Sequence, residues 1–242
     1  MGIYSRICEN KLNGRKQLAV LVDPDKTTSS SLDLLCHLCM DHHVDFIFVG
    51  GSLLTNGDLG ATIKGIRERC SIPVMIFPGS HQQIDANADA ILLLSLISGR
   101  NADLLIGQHV MAAPRLRASG LEIIPTGYVL IDGGNMTTVQ YVSGTPPIPV
   151  NKPEIAACTA LAGEQLGMKL IFAEAGSGAT NAVSPEMIRA IKNEIQIPLI
   201  VGGGIKTAEQ AKESFDAGAD LIVIGNILEK DPTLIADIAK SR

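Results

Sequence analysis

The chain has 242 residues, of which 46% are hydrophobic but only 3% aromatic, with no tryptophan and a formal net charge of −5. That length suits one α/β barrel, the aliphatic composition suits parallel strands, and the charge excludes a basic nucleic-acid-binding stripe. The opening MGIYSRICENKLNGRKQ lacks an apolar signal core, no run approaches a membrane span, and five cysteines without framework spacing fit reduced thiols, so a cytoplasmic protein without a transmembrane segment is expected.

In chain order, short apolar runs alternate with helical periodicity. QLAVLVD (17–23) reads as a buried strand and SSLDLLCHLCMDHH as the helix after it. VDFIFVGG (44–51) is the second strand, followed by the helical DLGATIKGIRERC. IPVMIFPG (72–79) is the third and ADAILLLSL (88–96) the fourth. Only SHQQIDAN (80–87) separates those two, too little for a helix. NADLLIGQHVMAAPRLRASG then predicts a helix with a break near Pro114, because proline lacks the N–H that a helix interior needs. LEIIPTGYVLID (121–132) is the fifth strand, and a Gly/Thr/Pro-rich loop (133–153) leads to the helix EIAACTALAGEQLG. MKLIFAEAGSG (168–178), the helix PEMIRAIKNE, IPLIVGGG, a helix from Thr207, DLIVIGN (220–226) and one last helix complete the chain. Eight strands, most followed by helices and with no break in composition, predict one domain over 1–242. It is a modified (β/α)8 TIM barrel with one outer helix missing or replaced by an extended segment after the third strand.

In such barrels the active site lies at the carboxyl ends of the strands, and phosphate often binds beyond strands seven and eight. Here those ends carry Glu174-Ala-Gly-Ser-Gly178, Gly202-Gly-Gly204 and Gly225-Asn226. Glycines let backbone N–H groups approach an anion, so three such ends predict a nest for a phosphate monoester. Walker A and GxGxxG patterns are absent, which removes the usual support for nucleotides. VDPDK (22–26) and FVGGS (48–52) add carboxylates and a hydroxyl at the first two strand ends. Hard oxygen donors of this kind suit Mg²⁺, which completes its shell with waters and a ligand's phosphates. CHLCMDHH (36–43) has metal-like spacing but no second ligand pair. Leu32, Leu35, Cys36, Cys39 and His43 instead fall on one helix stripe, expected to face the core.

LVDPDK, FVGGS, FAEAGSGA, VGGGIKT and IGN, in this order, together with PTGYVLIDGGNMTTVQYVSGTPPIP (125–149), resemble the geranylgeranylglyceryl phosphate synthase family, group II-like, over roughly residues 15–232. The resemblance implies a barrel with an extended segment in place of one helix. It implies a Mg²⁺-dependent prenyltransferase that joins sn-glycerol 1-phosphate to a prenyl diphosphate. Carried over by motif, Asp23 and Ser52 would hold the metal. Phe172, Ala173, Glu174, Ala175, Gly176, Ser177, Gly178, Gly203, Gly204, Gly225 and Asn226 would hold glycerol 1-phosphate. Glu174, at a strand end beside the glycines, is placed to take the hydroxyl proton. The family implies a homo-oligomer, dimer or hexamer, and transient membrane contact for product release is a further expectation. Two positions depart from its pattern: Phe172 stands where the family usually has Tyr, with Tyr128 as a substitute hydroxyl, and NADLL (101–105) lacks the usual aromatic residues, leaving Leu104 where one can close the far end of a prenyl channel. The residues alone also admit a sugar-phosphate isomerase or lyase using Asp23 and Glu174, and a non-catalytic protein that binds a phosphometabolite.

Overall fold

A computed structural model describes residues 2–242. Eight parallel strands close in sequence order into a barrel: β1 (Gln17–Val22), β2 (Phe46–Val49), β3 (Val74–Ile76), β4 (Ala90–Leu96), β5 (Glu122–Leu130), β6 (Leu170–Glu174), β7 (Leu199–Gly202) and β8 (Leu221–Ile224). The ring closes where β8 pairs with β1 through Gln17↔Leu221 to Val20↔Ile224. Strand alternation divides the apolar residues. Phe46, Phe48, Met75, Leu92, Tyr128, Phe172 and Ile200 fill the barrel, whereas Ile47, Val49, Ile76, Val129 and Val201 belong to the layer that includes the outer helices.

Around the barrel run α1 (Ile3–Leu12), α2 (Ser29–Asp41), α3 (Leu59–Arg67), α4 (Gln108–Ser119), α5 (Thr138–Ser143), α6 (Pro153–Gln165), α7 (Pro185–Glu194), α8 (Ala208–Asp216), α9 (Asn226–Lys230) and α10 (Leu234–Ala239). Their starts are written locally. Thr28 and Ser31 form a capping box on α2, and the Asp58, Ser184 and Thr207 side chains accept from Ala61, Met187 and Gln210 N–H groups. Between β3 and β4 there is no helix, and residues 77–89 run as turns and extended chain, as the sequence predicts.

Several elements differ from expectation. α4 is not broken at Pro114, which sits on its exposed side where the Val110 carbonyl left without a donor can be hydrated. The irregularity lies upstream, in a π-helical turn at Asp103–Gly107. The last helix is split into α9 and α10 at Asp231-Pro232, since a residue before proline disfavours helical geometry. α2 ends at Asp41, so His43 leaves the stripe; it is exposed, at φ 53°, while Leu32, Cys36 and Cys39 are buried as expected. The N-terminal helix α1 is additional. It inserts Ile7 into the cluster that fills the barrel, and Glu122 on β5 accepts from the N–H groups of Ile3 and Tyr4 at its start.

At the opposite end from the strand tips, Asp45 is 1% exposed and gathers charge. Its carboxylate meets Arg15 at 2.6 Å and Arg242 at 3.0 Å, with Arg6 at 4.0 Å, and accepts from the Leu18 N–H. Asp45→Ala leaves that N–H without an acceptor and the guanidinium groups without a counter-charge. The expected loss is about 2 kcal/mol, or about 6 °C in Tm for a chain this size. Thermal unfolding of the variant beside Asp45→Asn checks this, and an unchanged Tm for Asp45→Ala contradicts it.

Candidate active site

The carboxyl ends of the strands enclose a cavity of ≈ 540 Å³. Asp23, Ser52, Glu174, Ser177, Gly178, Gly203, Gly204, Gly225 and Asn226 all line it. The remaining expected residues do not. Ala173 and Ala175 point outward into the helix-side core, because alternate residues of a strand face opposite ways, and Gly176 is buried behind Thr137. Phe172 is fully buried and does not line the cavity.

Glu174 is the centre of the arrangement. It is 7% exposed, its Oε1 accepts from the Gly176 N–H at 2.7 Å, and burial pushes its pKa up to about 7 against that hydrogen bond. The glycines of β7 make room for it. A Cβ on Gly203 would lie 2.3 Å from Glu174 Oε1 and 2.6 Å from the Gly176 nitrogen, and Gly203 has φ +78°. The glycine therefore serves the packing of the carboxylate as well as any approach to phosphate.

The polar rim ties the glycine-rich ends together. Ser177 Oγ donates to Asn226 Oδ1 at 2.9 Å, joining the tips of β6 and β8. Asn135, in the GGNMTTV segment, accepts from both the N–H and the hydroxyl of Thr180. That contact explains why the GGNMTTV and AEAGSGA motifs belong together: one braces the other. Lys206 also lines the cavity, with its Nζ on the Thr180 carbonyl at 2.8 Å. The cavity therefore has a cation at its glycine-rich side, within the VGGGIKT motif.

At the other side, the two carboxylates of VDPDK divide their roles. Asp25 is structural. It accepts from the N–H groups of Thr55, Gly57 and Asn56 and from the Thr55 hydroxyl, which hold its pKa at about 2. Asp23 faces the cavity beside Gly51 and Ser52, accepts from the Asp25 N–H at 3.1 Å, and has Lys26 Nζ 3.4 Å from Oδ2. Lys26 in turn reaches Glu229 at 3.1 Å. Among the described residues no cluster of three or more His, Cys, Asp or Glu side chains forms a metal cage. One carboxylate and one hydroxyl are a donor set that fits Mg²⁺ completed by water and phosphate oxygens.

A second cavity, narrow and apolar, opens from the first at Gly51, Ser52, Phe77, Tyr128 and Val139, which line both. It runs between β4 and α4, lined by Ile91, Leu93 and Leu94 on one side. Leu104, Gln108, Ala112 and Leu116 face it from the other, one residue every helical turn. Leu104 thus forms part of the channel wall. His109 Nε2 bonds the Leu94 carbonyl at 2.8 Å and His81 Nδ1 pairs with Gln108, so the polar groups along this wall are satisfied.

Tyr128, 6% exposed, has its pKa raised by burial and by the Glu174 charge, and it stacks on Phe172 with centroids 5.7 Å apart. Tyr128 was visible in sequence only as a substitute hydroxyl. Phe77, Lys26 and Lys206 were not singled out at all, although all three adjoin or belong to the strand-end motifs.

The sequence and the fold agree with known proteins. A model of the PcrB family matches residues 10–242. A protein of Spirosoma linguale named geranylgeranylglyceryl phosphate synthase is 55% identical over 95% of this chain and 92% of its own length. One of the same name from Pyrococcus horikoshii is 42% identical over 97% and 92%. The crystal structure of (S)-3-O-geranylgeranylglyceryl phosphate synthase from Thermoplasma acidophilum, in complex with its substrate sn-glycerol-1-phosphate, superimposes with a TM-score of 0.93. It is 35% identical and covers 100% of this chain and 98% of that one. Tryptophan synthase subunit alpha from Legionella pneumophila shares the fold alone, at 14% identity and TM-score 0.60. The chain belongs to the PcrB family.

Proposed function

We propose that this protein is a prenyltransferase that joins the free primary hydroxyl of sn-glycerol 1-phosphate to the first carbon of a prenyl diphosphate, geranylgeranyl or longer, giving an ether and diphosphate. The observation that carries the reading is the junction of a polar, glycine-rimmed cavity with an apolar channel, beside a buried carboxylate. A sugar-phosphate isomerase or lyase, or a protein that only binds a phosphometabolite, has no use for that channel. Relatives named for this synthesis, and the glycerol phosphate bound by the Thermoplasma protein, support the same choice of acceptor.

The roles follow from placement. The glycine-rich ends of β6, β7 and β8, with Ser177, Asn226 and Lys206, hold the phosphate of the acceptor. Glu174 takes the proton of its hydroxyl; a carboxylate held at about 7 is a stronger base than an ordinary one and is still largely ionised just above neutrality. Asp23 and Ser52 would hold Mg²⁺, which when bound neutralises the leaving diphosphate. The channel aligns the tail so that the reacting carbon meets the hydroxyl. Closing the junction with Val139 and Tyr128 keeps water from competing for that carbon.

The same reading takes residues 1–242 as one barrel domain. A cytoplasmic location is supported by five free thiols, and no helix among the described residues is long and apolar enough to cross a membrane. Ile106, Val110 and Met111 expose apolar surface on and before α4, which a homo-oligomer, dimer or hexamer, would cover. Leu53 and Met136 lie exposed on loops, and Tyr141 on α5, at the carboxyl ends of the strands, where transient contact with a membrane would release the product.

Labelled sn-glycerol 1-phosphate incubated with farnesyl, geranylgeranyl and heptaprenyl diphosphates is expected to give ether product only with Mg²⁺, and much more slowly with the 3-phosphate enantiomer. Absence of ether with every donor, or undiminished product in chelator, removes the reading.

Glu174→Gln is expected to lose most of the turnover while stabilising the fold at alkaline pH. The folded pKa lies above the ordinary 4.5, so the wild-type carboxyl contributes most stability below that value and loses it as pH rises through about 7. At pH 8 the loss is roughly 3 kcal/mol, at about 1.4 kcal/mol per pKa unit. The amide does not ionise and escapes it. Thermal unfolding of both proteins at pH 5 and pH 8 should therefore show Glu174→Gln gaining Tm only at the higher pH, and the wild-type rate should rise as pH passes about 7. A pH-independent Tm difference contradicts the assignment.

Leu104→Trp places an indole in the channel wall and takes up part of its volume. Donor preference is expected to shift toward farnesyl diphosphate with the Mg²⁺ dependence unchanged, because each buried methylene lost from the channel costs about 0.8 kcal/mol. Side-by-side rates on the three donors decide it; the same chain-length profile in a folded variant contradicts it.

A further inference from the structure

The chain has only five phenylalanines and three tyrosines. Four of these eight rings form one cluster at the carboxyl end of the barrel. Phe77 is its hub, with centroids 5.1 Å from Phe172, 6.1 Å from Tyr128 and 6.4 Å from Phe48, at interplanar angles of 25–39°. Its three partners are buried, whereas Phe77 is partly exposed and lines both cavities.

Its position is fixed by backbone. The Phe77 N–H donates to the Val49 carbonyl, and the Phe77 carbonyl lies where a Cβ on Gly50 would come within 2.0 Å. The ring therefore stands immediately beside the Gly51-Ser52 end of the site. Through Phe172 and Tyr128 it adjoins the place where Glu174 is buried. A group at this spot has the diphosphate side, the base side and the channel mouth around it at once.

We infer that Phe77 is a catalytic residue whose ring face stabilises the positive charge that develops on the allylic carbon during prenyl transfer. This deepens the prenyltransferase reading and rests on it. In the step, the bond between the allylic carbon and the diphosphate oxygen breaks and its electron pair leaves with the diphosphate. The charge left behind is shared between the first and third carbons of the tail. The acceptor oxygen then forms its bond to the first carbon, and its proton passes to the Glu174 carboxylate. While the charge exists, it is at the junction of the two cavities. Phe77, the partly exposed ring of the cluster and the one that lines both cavities, would offer π-electron density to that charge without offering a nucleophile that would trap the cation. Packing of that ring against Tyr128 and Phe172 prevents it from turning away, so the interaction is in place before the charge appears.

Tail binding and cation stabilisation make different demands on Phe77. Tail binding needs apolar volume and appears in KM for the donor; cation stabilisation needs π-electron density and appears in the chemical step. Single-turnover rates with enzyme in excess, on geranylgeranyl diphosphate and sn-glycerol 1-phosphate, separate them. Phe77→Leu is expected to slow the step about tenfold, equivalent to about 1.4 kcal/mol, with KM for the donor changed by no more than about twofold. Since leucine could also loosen the cluster, a second series replaces Phe77 with mono-, di- and trifluorophenylalanine, which withdraws π density at nearly constant shape. The logarithm of the rate is expected to fall with each added fluorine. A flat series, or Phe77→Leu at the wild-type rate, overturns the inference and leaves the prenyltransferase reading standing. A wild-type protein that forms no ether overturns both.

Discussion

The Glu174 carboxylate sits inside the barrel mouth with the Gly176 N–H as its hydrogen-bond partner, and the surrounding chain is shaped to keep it there. Parallel closure puts β6 and β7 side by side, so the Glu174 side chain meets the tip of β7. That tip must be glycine, since any side chain at Gly203 would strike the carboxylate. Thr137 packs against Gly176 from the far side, and Asn135 clasps the next turn through Thr180. The carboxyl group is thus poorly solvated by construction, which raises its proton affinity to a level useful near neutral pH.

From that constraint the division of the site follows. The glycine turns needed around Glu174 also expose backbone N–H groups at three neighbouring strand ends, suited to a phosphate. Across the mouth, Asp25 is spent on holding the 55–57 turn, leaving Asp23 and Ser52 facing the cavity. With no helix between β3 and β4, the wall beside β4 is covered by α4 and its π-helical turn, and the gap beneath them is the apolar channel. A missing outer helix, which looks like a defect in the barrel, is what leaves space beside the polar mouth for this apolar channel. The aromatic cluster fills the wedge between these parts, where small aliphatic side chains would leave a void.

All eight strands were readable because buried parallel strands are short runs of apolar residues with abrupt polar or glycine ends, and the missing helix was readable from an eight-residue link. What escaped had physical reasons. The first helix, IYSRICENKL, fully buries only Ile7; Ile3 and Tyr4 pack beside it while Leu12 is exposed, so its apolar stripe is short and interleaved with polar residues. α5 hides in a stretch rich in Gly, Thr and Pro, stabilised by its place over the mouth rather than by propensity. Pro114 misled because a proline on the wet side of a helix costs less than one facing the core. For the site, strand-end glycines and carboxylates were visible as motifs. A motif is contiguous, however, and a strand is two-sided, so Ala173 and Ala175 were included although they face the helices. Phe77 and Tyr128 come to the junction only through closure of the sheet, which no local pattern records.

The central claim is that the polar mouth and the apolar channel are two halves of one site in which an acceptor hydroxyl displaces diphosphate from carbon. The most direct measurement follows the acceptor oxygen. With sn-glycerol 1-phosphate labelled with ¹⁸O at its free primary hydroxyl, mass spectrometry of the products should find the label in the ether and none in the released diphosphate. Label in the diphosphate, or an ether without label, would contradict the account.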